Sequence, residues 1–384
     1  MYPRISDLLL DLFGIDIPLP IQSFGFFVAI SFLVGGWALT QELKRKESEG
    51  LISSTIKKVL VGAPASLNDL LLSGIVGFIV GYKLLYAGLN YAEFVVDPQQ
   101  FILSFEGSMI GGIGGLAISA LLKYYEKRKV QLDTPVNEDV EVHPHELIGN
   151  IVVIAAVAGL LGAKIFHNLE NMDDFIADPV GMLLSFSGLT FYGGMICGTA
   201  AVLYYARKNG IGILPMLDAA APGLILAYGV GRIGCQVAGD GDWGIPNDMP
   251  QPAWLSFLPE WVWAYDYPNN VLGIDLQRDF ALKGLNSETG KAFPTPLYET
   301  AMSFVIFGIL WGLRKRITIP GMIFSIYLVF NGIERFFIEK IRINTVYEIF
   351  GNNITQAEII STVVFVLGVS GIVYFAKTGK PANK

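Results

Sequence analysis

Two arginines fall inside stretches that otherwise read as lipid-spanning helices, Arg232 in AAAPGLILAYGVGRIGCQVAG and Arg335 in GMIFSIYLVFNGIERFFIEK. A guanidinium stays charged at any physiological pH, and placing one inside a membrane is costly, so it marks a site unless it snorkels to the interface. Other chemistry-bearing residues gather near the same helix ends. Glu339 follows Arg335 by four residues, on the same helical face, where it can pair with the guanidinium and orient it. Glu334 projects from another face and is the weaker candidate. Tyr192 lies one turn inside a third span and is followed by Gly193 and Gly194, while Tyr298 and Glu299 open a fourth. Around Arg232, Gly231, Gly234 and Gly239 let a ligand or a neighbouring helix approach the backbone closely. The run Gly239-Asp240-Gly241-Asp242-Trp243-Gly244 then sets two carboxylates at the lip, where they could order the arginines or accept a proton. Two permanent cations suit a phosphodiester better than a metal or a proton path, because arginine binds phosphate oxygens in pairs.

The elements that must position these residues are membrane helices. The chain has 384 residues, 52% hydrophobic and only 16% charged, with 43 glycines and a mean hydropathy of +0.50; soluble domains carry roughly 25% charged residues. The reading is a single all-α polytopic membrane domain over 1–384 with nine spans: 22–39, 66–88, 105–122, 147–167, 188–206, 215–238, 297–313, 320–338 and 357–376. The net charge of −7 is divided by topology and says little. Lys and Arg cluster in alternate loops, at Lys44 to Lys46, Lys123 to Lys129, Arg207-Lys208, Arg314 to Arg316 and the tail from Lys377. By the positive-inside rule that side is cytoplasmic, which puts the N-terminus outside and the C-terminus inside. Arg232 then lies about 9 Å, and Arg335 about 5 Å, inside the outer ends of their spans, at headgroup depth.

Residues 239–296, rich in Trp, Pro, Asp and Gly, are expected as outer-face loops with aromatic anchors, too short to build much core. The start, MYPRISDLLLDLFGIDIPLP, lacks the basic head and cleavage site of a signal peptide and reads as an amphipathic stretch at 5–13. Residues 130–146 form a polar cytoplasmic linker in which His143 and His145 lack ligand-like company. Cys197 and Cys235, in or at the edge of spans, imply no disulfide framework. Shifting the chain by 81 residues aligns 81–107 with 162–188, matching Gly81, Lys83, Asn90, Phe94, Asp97, Pro98, Ser104, Phe105 and Gly107. The hairpin 66–122 therefore resembles 147–206, without the tyrosine of the second copy, and reads as lateral packing. Lys83 and Lys164 occupy equivalent positions, where they could attract anionic headgroups or simply snorkel.

In GRIGCQVAGDGDWG (231–244), PTPLYE (294–299) and ERFFIEKIR (334–342), with Ile21 to Gly25 and an aspartate, Asp218, ahead of the first motif, the sequence resembles the bacterial prolipoprotein diacylglyceryl transferases. The resemblance covers the first span and 147–376, with 60–130 as an addition. It implies transfer of the diacylglyceryl group of phosphatidylglycerol to the lipobox cysteine of a preprolipoprotein, releasing glycerol 1-phosphate at the bacterial inner membrane. The partners implied are phosphatidylglycerol and preprolipoprotein signal peptides, with no nucleic acid, metal or cofactor. Arg232, Arg335, Glu339, Tyr192 and Asp240 are then the catalytic candidates; Gly193, Gly194, Gly231, Gly234, Gly239, Tyr298, Glu299 and Asp218 would join the two arginines in binding substrate. The chain departs from the family pattern in having Tyr192 for a histidine, Cys235 for an asparagine, Asp240 with one extra residue before Trp243, and Phe293 for a second histidine. These changes put the base in question, with Tyr192 the first choice, Asp240 the second and Glu339 the third, and His167 as a substitute; they also leave room for a non-catalytic lipid-binding relative. A transporter of an anionic lipid is disfavoured because no polar path continues to the cytoplasmic side. Cys235 reads as a small packing residue rather than a covalent nucleophile.

Overall fold

A computed structural model of the chain describes residues 1–96, 98–185, 188–349 and 352–379. Among these residues the long helices are α1 (Ser23–Ser48), α2 (Leu67–Leu89), α3 (Met109–Lys129), α4 (Ile148–Glu170), α5 (Phe191–Lys208), α6 (Ile213–Ala238), α7 (Thr295–Leu313), α8 (Met322–Glu339) and α9 (Gln356–Thr378). Each coincides with an expected span. Six of them, α1, α2, α4, α6, α7 and α9, are long and apolar enough to cross a membrane. The other three are diluted by polar residues: glycines and a basic last turn in α3 and α5, and Glu334, Arg335 and Glu339 in α8. Each of the three lies along one of the apolar six, α3 on α2, α5 on α4 and α8 on α9.

α6 is the hub. Half of its apolar stretch is buried inside the protein, more than for any other of the six, and it packs chiefly on α1 and α7, with α8 behind. Small residues permit this closeness: a side chain on Gly223 would meet the Gly35 carbonyl of α1 at 2.9 Å, and one on Gly229 would meet Ser303 of α7 at 2.9 Å. At the other end of α6, Asp218 is buried and its carboxylate accepts the backbone N–H groups of Gly321, 2.7 Å, and Phe324, 2.8 Å. It thereby caps α8, satisfying amides that the helix itself leaves unpaired.

The two hairpins α2/α3 and α4/α5 share two kinds of contact, a glycine seam and a lysine bonded to the connecting segment. Gly81 abuts the Gly111 carbonyl and Gly115, and Gly162 abuts the Gly193 carbonyl and Cys197. Lys83 donates to Ser104 Oγ at 3.2 Å and to the carbonyls of Phe101 and Glu106 at 2.9 and 2.7 Å; Lys164 donates to the carbonyl and Oγ of Ser185, both at 2.8 Å. Both lysines are thus engaged in tying the hairpin's own connecting segment back to the helix. Of the aligned positions, Asp97 and Phe186, the counterpart of Phe105, lie outside the described residues.

Two connecting regions differ from expectation. The polar linker does not stay a coil: β2 (Val136–Val142) pairs antiparallel with β1 (Thr55–Val61), from Thr55 opposite Val142 to Val61 opposite Val136. That pairing returns His143 and His145 to the end of α1, where Glu47 meets both, at 2.6 and 3.5 Å. Hydrogen bonding to Glu47 raises the His143 pKa above its usual value. Residues 239–296 also do more than lie as loops. Trp243, Tyr267, Leu276, Phe280 and Ala292 form a small buried core of their own, and the segment is stitched by bridges such as Tyr265 to Ala292 and, to the far end of α8, Gly244 to Arg342. Aromatic side chains bury enough area each to make such a core from few residues. A last antiparallel pair, β3 (Val346–Ile349) and β4 (Asn352–Thr355), leads into α9.

The α4/α5 seam gives a test. A Cβ at Gly162 falls on Cys197 and the Gly193 carbonyl, so Gly162→Val is expected to lower stability by about 1–3 kcal/mol, the usual effect of overpacking. Thermal unfolding in detergent measures it, and an unchanged midpoint would mean that the seam is looser than described.

Candidate active site

The site is assembled at one end of α6, α7 and α8. Pro294-Thr295-Pro296 starts α7, with proline supplying a pre-set φ and no amide to leave unpaired in the first turn, and this sets Glu299 one turn inside the helix. Glu299 is fully buried. Its carboxylate faces three guanidiniums: Arg232 of α6 through Nε, Arg335 of α8 at 3.5 Å, and Arg342, just beyond α8, at 3.1 Å. Tyr228, one turn before Arg232, donates its hydroxyl to the same carboxylate at 3.1 Å and lies under the Arg232 guanidinium, 5.1 Å from the ring centroid.

A second carboxylate closes the arrangement. Asp242 pairs through one oxygen with Arg232 and through the other with Arg342, so the two arginines and the two acids form a ring. The Asp242 carbonyl accepts the Thr295 hydroxyl at 2.5 Å, fixing the loop to the start of α7. Glu339 pairs with Arg335 at 3.0 Å across one helical turn and accepts from Asn344 at 2.5 Å. The i, i+4 pair is therefore formed as the spacing implies. Three guanidiniums meet three carboxylates, which is how charges are tolerated in a poorly solvated place.

The loop acids differ in environment. Burial pushes Asp242 up, but the charges of Arg232 and Arg342 outweigh it and hold its carboxyl below the usual range. For Asp240, burial and then the charge of Asp242 push its carboxyl above that range; it accepts the Asp242 amide at 3.3 Å and, among the described residues, makes no ion pair with an arginine. Cys235 is buried, its Sγ 3.7 Å from Arg232 Nη1. Cys235, Asp240 and Asp242 each offer one potential ligand atom within 4.8 Å of the others. Both oxygens of Asp242 are already held by arginines, so this group suits an anion beside it better than a metal within it.

The sequence-derived candidates divide. Arg232, Arg335, Glu299, Glu339 and Asp240 converge. Tyr192 is half buried on α5, within the fields of Arg335 and Glu339, and makes no hydrogen bond to either among the described residues. Gly231 faces open space. The remaining candidates serve the scaffold: Gly193 and Gly194 pack on α4, Gly234 on Phe24 and Phe27 of α1, and Gly239 ends α6 with φ of +64°. The Tyr298 hydroxyl donates to the Val262 carbonyl at 2.9 Å. Asp218 lies fourteen residues before Arg232, about 21 Å along the helix, and its capping role takes it out of the site. His167 is engaged with Asn171. Glu334 is more enclosed than its weak standing in the sequence suggests: it is 3% exposed, and neither oxygen has a hydrogen-bond partner among the described residues.

Arg342, Tyr228 and Asn344 were missed as site residues. Arg342 closes ERFFIEKIR, in which Arg335, Glu339 and Arg342 are spaced by four and three residues; that spacing is the sequence signal, although Arg342 itself lies beyond the span. Tyr228 sits four residues before Arg232, on the same face.

Removing the charge at the centre is the direct test of this geometry. Glu299→Gln leaves three guanidiniums with two carboxylates and is expected to destabilise by about 3–5 kcal/mol, the range for breaking a buried pair, whereas Tyr228→Phe removes a single hydrogen bond and is expected to change stability by about 1 kcal/mol. Equal unfolding temperatures for the two variants would contradict a central role for Glu299.

Comparison with known proteins bears on this site. A family model described as prolipoprotein diacylglyceryl transferase matches residues 115–374; Ile21 to Gly25 and α2 fall outside the matched range. Phosphatidylglycerol–prolipoprotein diacylglyceryl transferase of Corynebacterium efficiens is 31% identical over 251 residues, 61% of this chain and 69% of its own length. The proteins of that name from Corynebacterium diphtheriae and Clostridium tetani are 30% and 28% identical, over 59% and 62% of this chain and 77% and 79% of theirs.

Proposed function

The chain belongs to the prolipoprotein diacylglyceryl transferase family, and from that membership and the arginine site we propose that it transfers the diacylglyceryl group of phosphatidylglycerol to the lipobox cysteine thiol of a preprolipoprotein. The observation that carries the proposal is the convergence of Arg232 and Arg335, from two helices, on one buried carboxylate at a shared helix end. In the reaction the substrate thiol attacks the terminal glyceryl carbon. The bond between that carbon and the phosphate oxygen breaks, and glycerol 1-phosphate leaves. Arg232 and Arg335 bind the phosphate and stabilise the charge that grows on it, a fixed electrostatic role needing no rearrangement at the moment of reaction. Glu339 holds Arg335 in position.

The thiol needs its proton removed, since an ordinary cysteine titrates near pH 8.5. Of the three candidate bases, Glu339 is committed to Arg335 and Asn344. Asp240 makes no arginine pair among the described residues and has an environment that favours proton uptake. We assign it the role, with Tyr192 second. All nine helices are taken as spans, with the N-terminus and residues 239–296 on the outer side of the bacterial cytoplasmic membrane. The alternation of basic loops supports this, as does the close pairing of α3, α5 and α8 with apolar helices.

Purified protein, phosphatidylglycerol vesicles and a lipobox peptide, followed by mass spectrometry of the peptide, test the reaction; retained lipid with no mass shift would point to a non-catalytic lipid-binding protein. Arg232→Lys and Arg335→Lys are each expected to lower kcat/KM by roughly 100-fold or more, as for loss of a transition-state donor, because a point charge does not reproduce paired contacts. Substantial remaining turnover would remove the assigned roles. The pH profile separates the bases. A base acts when deprotonated, so activity is expected to rise with pH through a titration lying above the usual carboxylate value. Asp240→Asn is expected to abolish that limb and Tyr192→Phe to preserve it; the reverse result hands the role to the phenol.

A further inference from the structure

The arginines of the site carry no spare charge. Arg232, Arg335 and Arg342 are matched by Glu299, Glu339 and Asp242, and within the ring both Arg232 and Arg342 spend one contact on each of Glu299 and Asp242. A phosphate entering this ring must therefore replace a carboxylate. The two acids are not equally replaceable. Glu299 is completely enclosed and carries a tyrosine hydroxyl as well as three cations, whereas the Asp242 side chain is 31% exposed, the most open member of the ring. The main chain at Asp242 is fixed by the Thr295 hydroxyl, by the buried side chain of Trp243 and by the hydrogen bond from the Gly244 amide to the Phe293 carbonyl, 2.9 Å. What is free to move is the side chain, by rotation about χ1 toward its exposed side.

We propose that Asp242 is a place-holder: its carboxylate occupies, between Arg232 and Arg342, the position taken by the substrate phosphate, and returns there to expel the phosphate-bearing product. The inference rests on the lipid-phosphate reading of the site. Its chemistry is an exchange of anions. A carboxylate presents two oxygens to two guanidiniums in the way a phosphodiester presents its two non-bridging oxygens, and both carry one negative charge, so the exchange leaves the net charge of the ring unchanged. At no point in the exchange are three guanidiniums left with only two anions, a state that would be costly beside a membrane. It also weakens phosphate binding by the free energy of the Asp242 contacts, which keeps the product from staying bound. Arg342 thereby becomes a phosphate-contacting residue alongside Arg232, while Glu299 remains the fixed base of the ring.

Asp242→Asn tests this, with Asp242→Ser in parallel as a smaller uncharged replacement. Calorimetric titration of each purified protein with glycerol 1-phosphate is expected to show binding at least tenfold tighter in the variants than in the unsubstituted protein. Steady-state kinetics are expected to show KM and kcat falling together, because bound phosphate leaves more slowly. The unliganded variants are expected to melt at lower temperature and to gain more from added glycerol 1-phosphate than the unsubstituted protein does. Weaker or unchanged affinity in the variants, or a smaller thermal gain, overturns the place-holder and leaves the lipid-phosphate site intact. If neither the variants nor the unsubstituted protein binds glycerol 1-phosphate or phosphatidylglycerol vesicles, the lipid-phosphate reading itself falls and this inference with it.

Discussion

The fully buried carboxylate of Glu299 is the interaction on which the site depends. It stands at the start of α7 and touches a guanidinium from α6, one from α8 and one from the segment beyond α8. Without it, three cations would share a poorly solvated space, and their mutual repulsion would drive the three helix ends apart. With it, the charges become part of the packing. Loop 239–244 is fastened to the same centre through Asp242, so the small core around Trp243 and Tyr267 is positioned relative to the arginines by ion pairs as well as by backbone bridges.

The helices bear the consequence of holding those charges. α8 places Glu334, Arg335 and Glu339 in one short stretch and is thereby less apolar than a lipid-facing helix should be. It is kept in place by contacts made elsewhere: Gly332 and Gly368 allow a close approach to α9, and Asp218 caps its other end from α6. The substitution of site residues for apolar ones is offset by helix packing along α8, from Gly332 beside Arg335 to the turns facing Gly368, and by capping at the other end of the helix. This accounts for Asp218, which lies ahead of the Arg232 motif in sequence and contributes by fixing the helix that carries Arg335.

Most of the helices were legible because an apolar run long enough to cross lipid is hard to read as anything else; a long helix lies in each of the nine expected segments, and six of these are long and apolar enough to cross a membrane. Arg232, Arg335 and Glu339 were legible for the opposite reason, as charges where charges are expensive. What escaped was whatever depends on residues distant in the chain. The pairing of 55–61 with 136–142, which brings His143 and His145 to Glu47, has no local signature in either strand. Arg342 is an unremarkable basic residue outside a helix until folding sets it against Glu299 and Asp242. Gly193 and Gly194 are ambiguous in the other direction, since a glycine pair beside a tyrosine carries the same local pattern whether it admits a ligand or, as here, a neighbouring helix.

The neutrality of the cluster changes what kind of binding site it is. A pocket of unpaired arginines would capture any anion at the membrane surface and would release a dianionic product slowly. A ring already satisfied by its own carboxylates attracts anions weakly at long range, because its field cancels beyond about a Debye length or less, and it discriminates by geometry at contact. Only a ligand that offers two oxygens at the spacing of a carboxylate, and arrives from the side on which the ring is open, can replace one of its members without leaving a guanidinium unpaired. Under the proposed reaction, selectivity for a phosphodiester held at fixed depth by its acyl chains would follow from the ring's charge balance together with the direction of its partly exposed carboxylate.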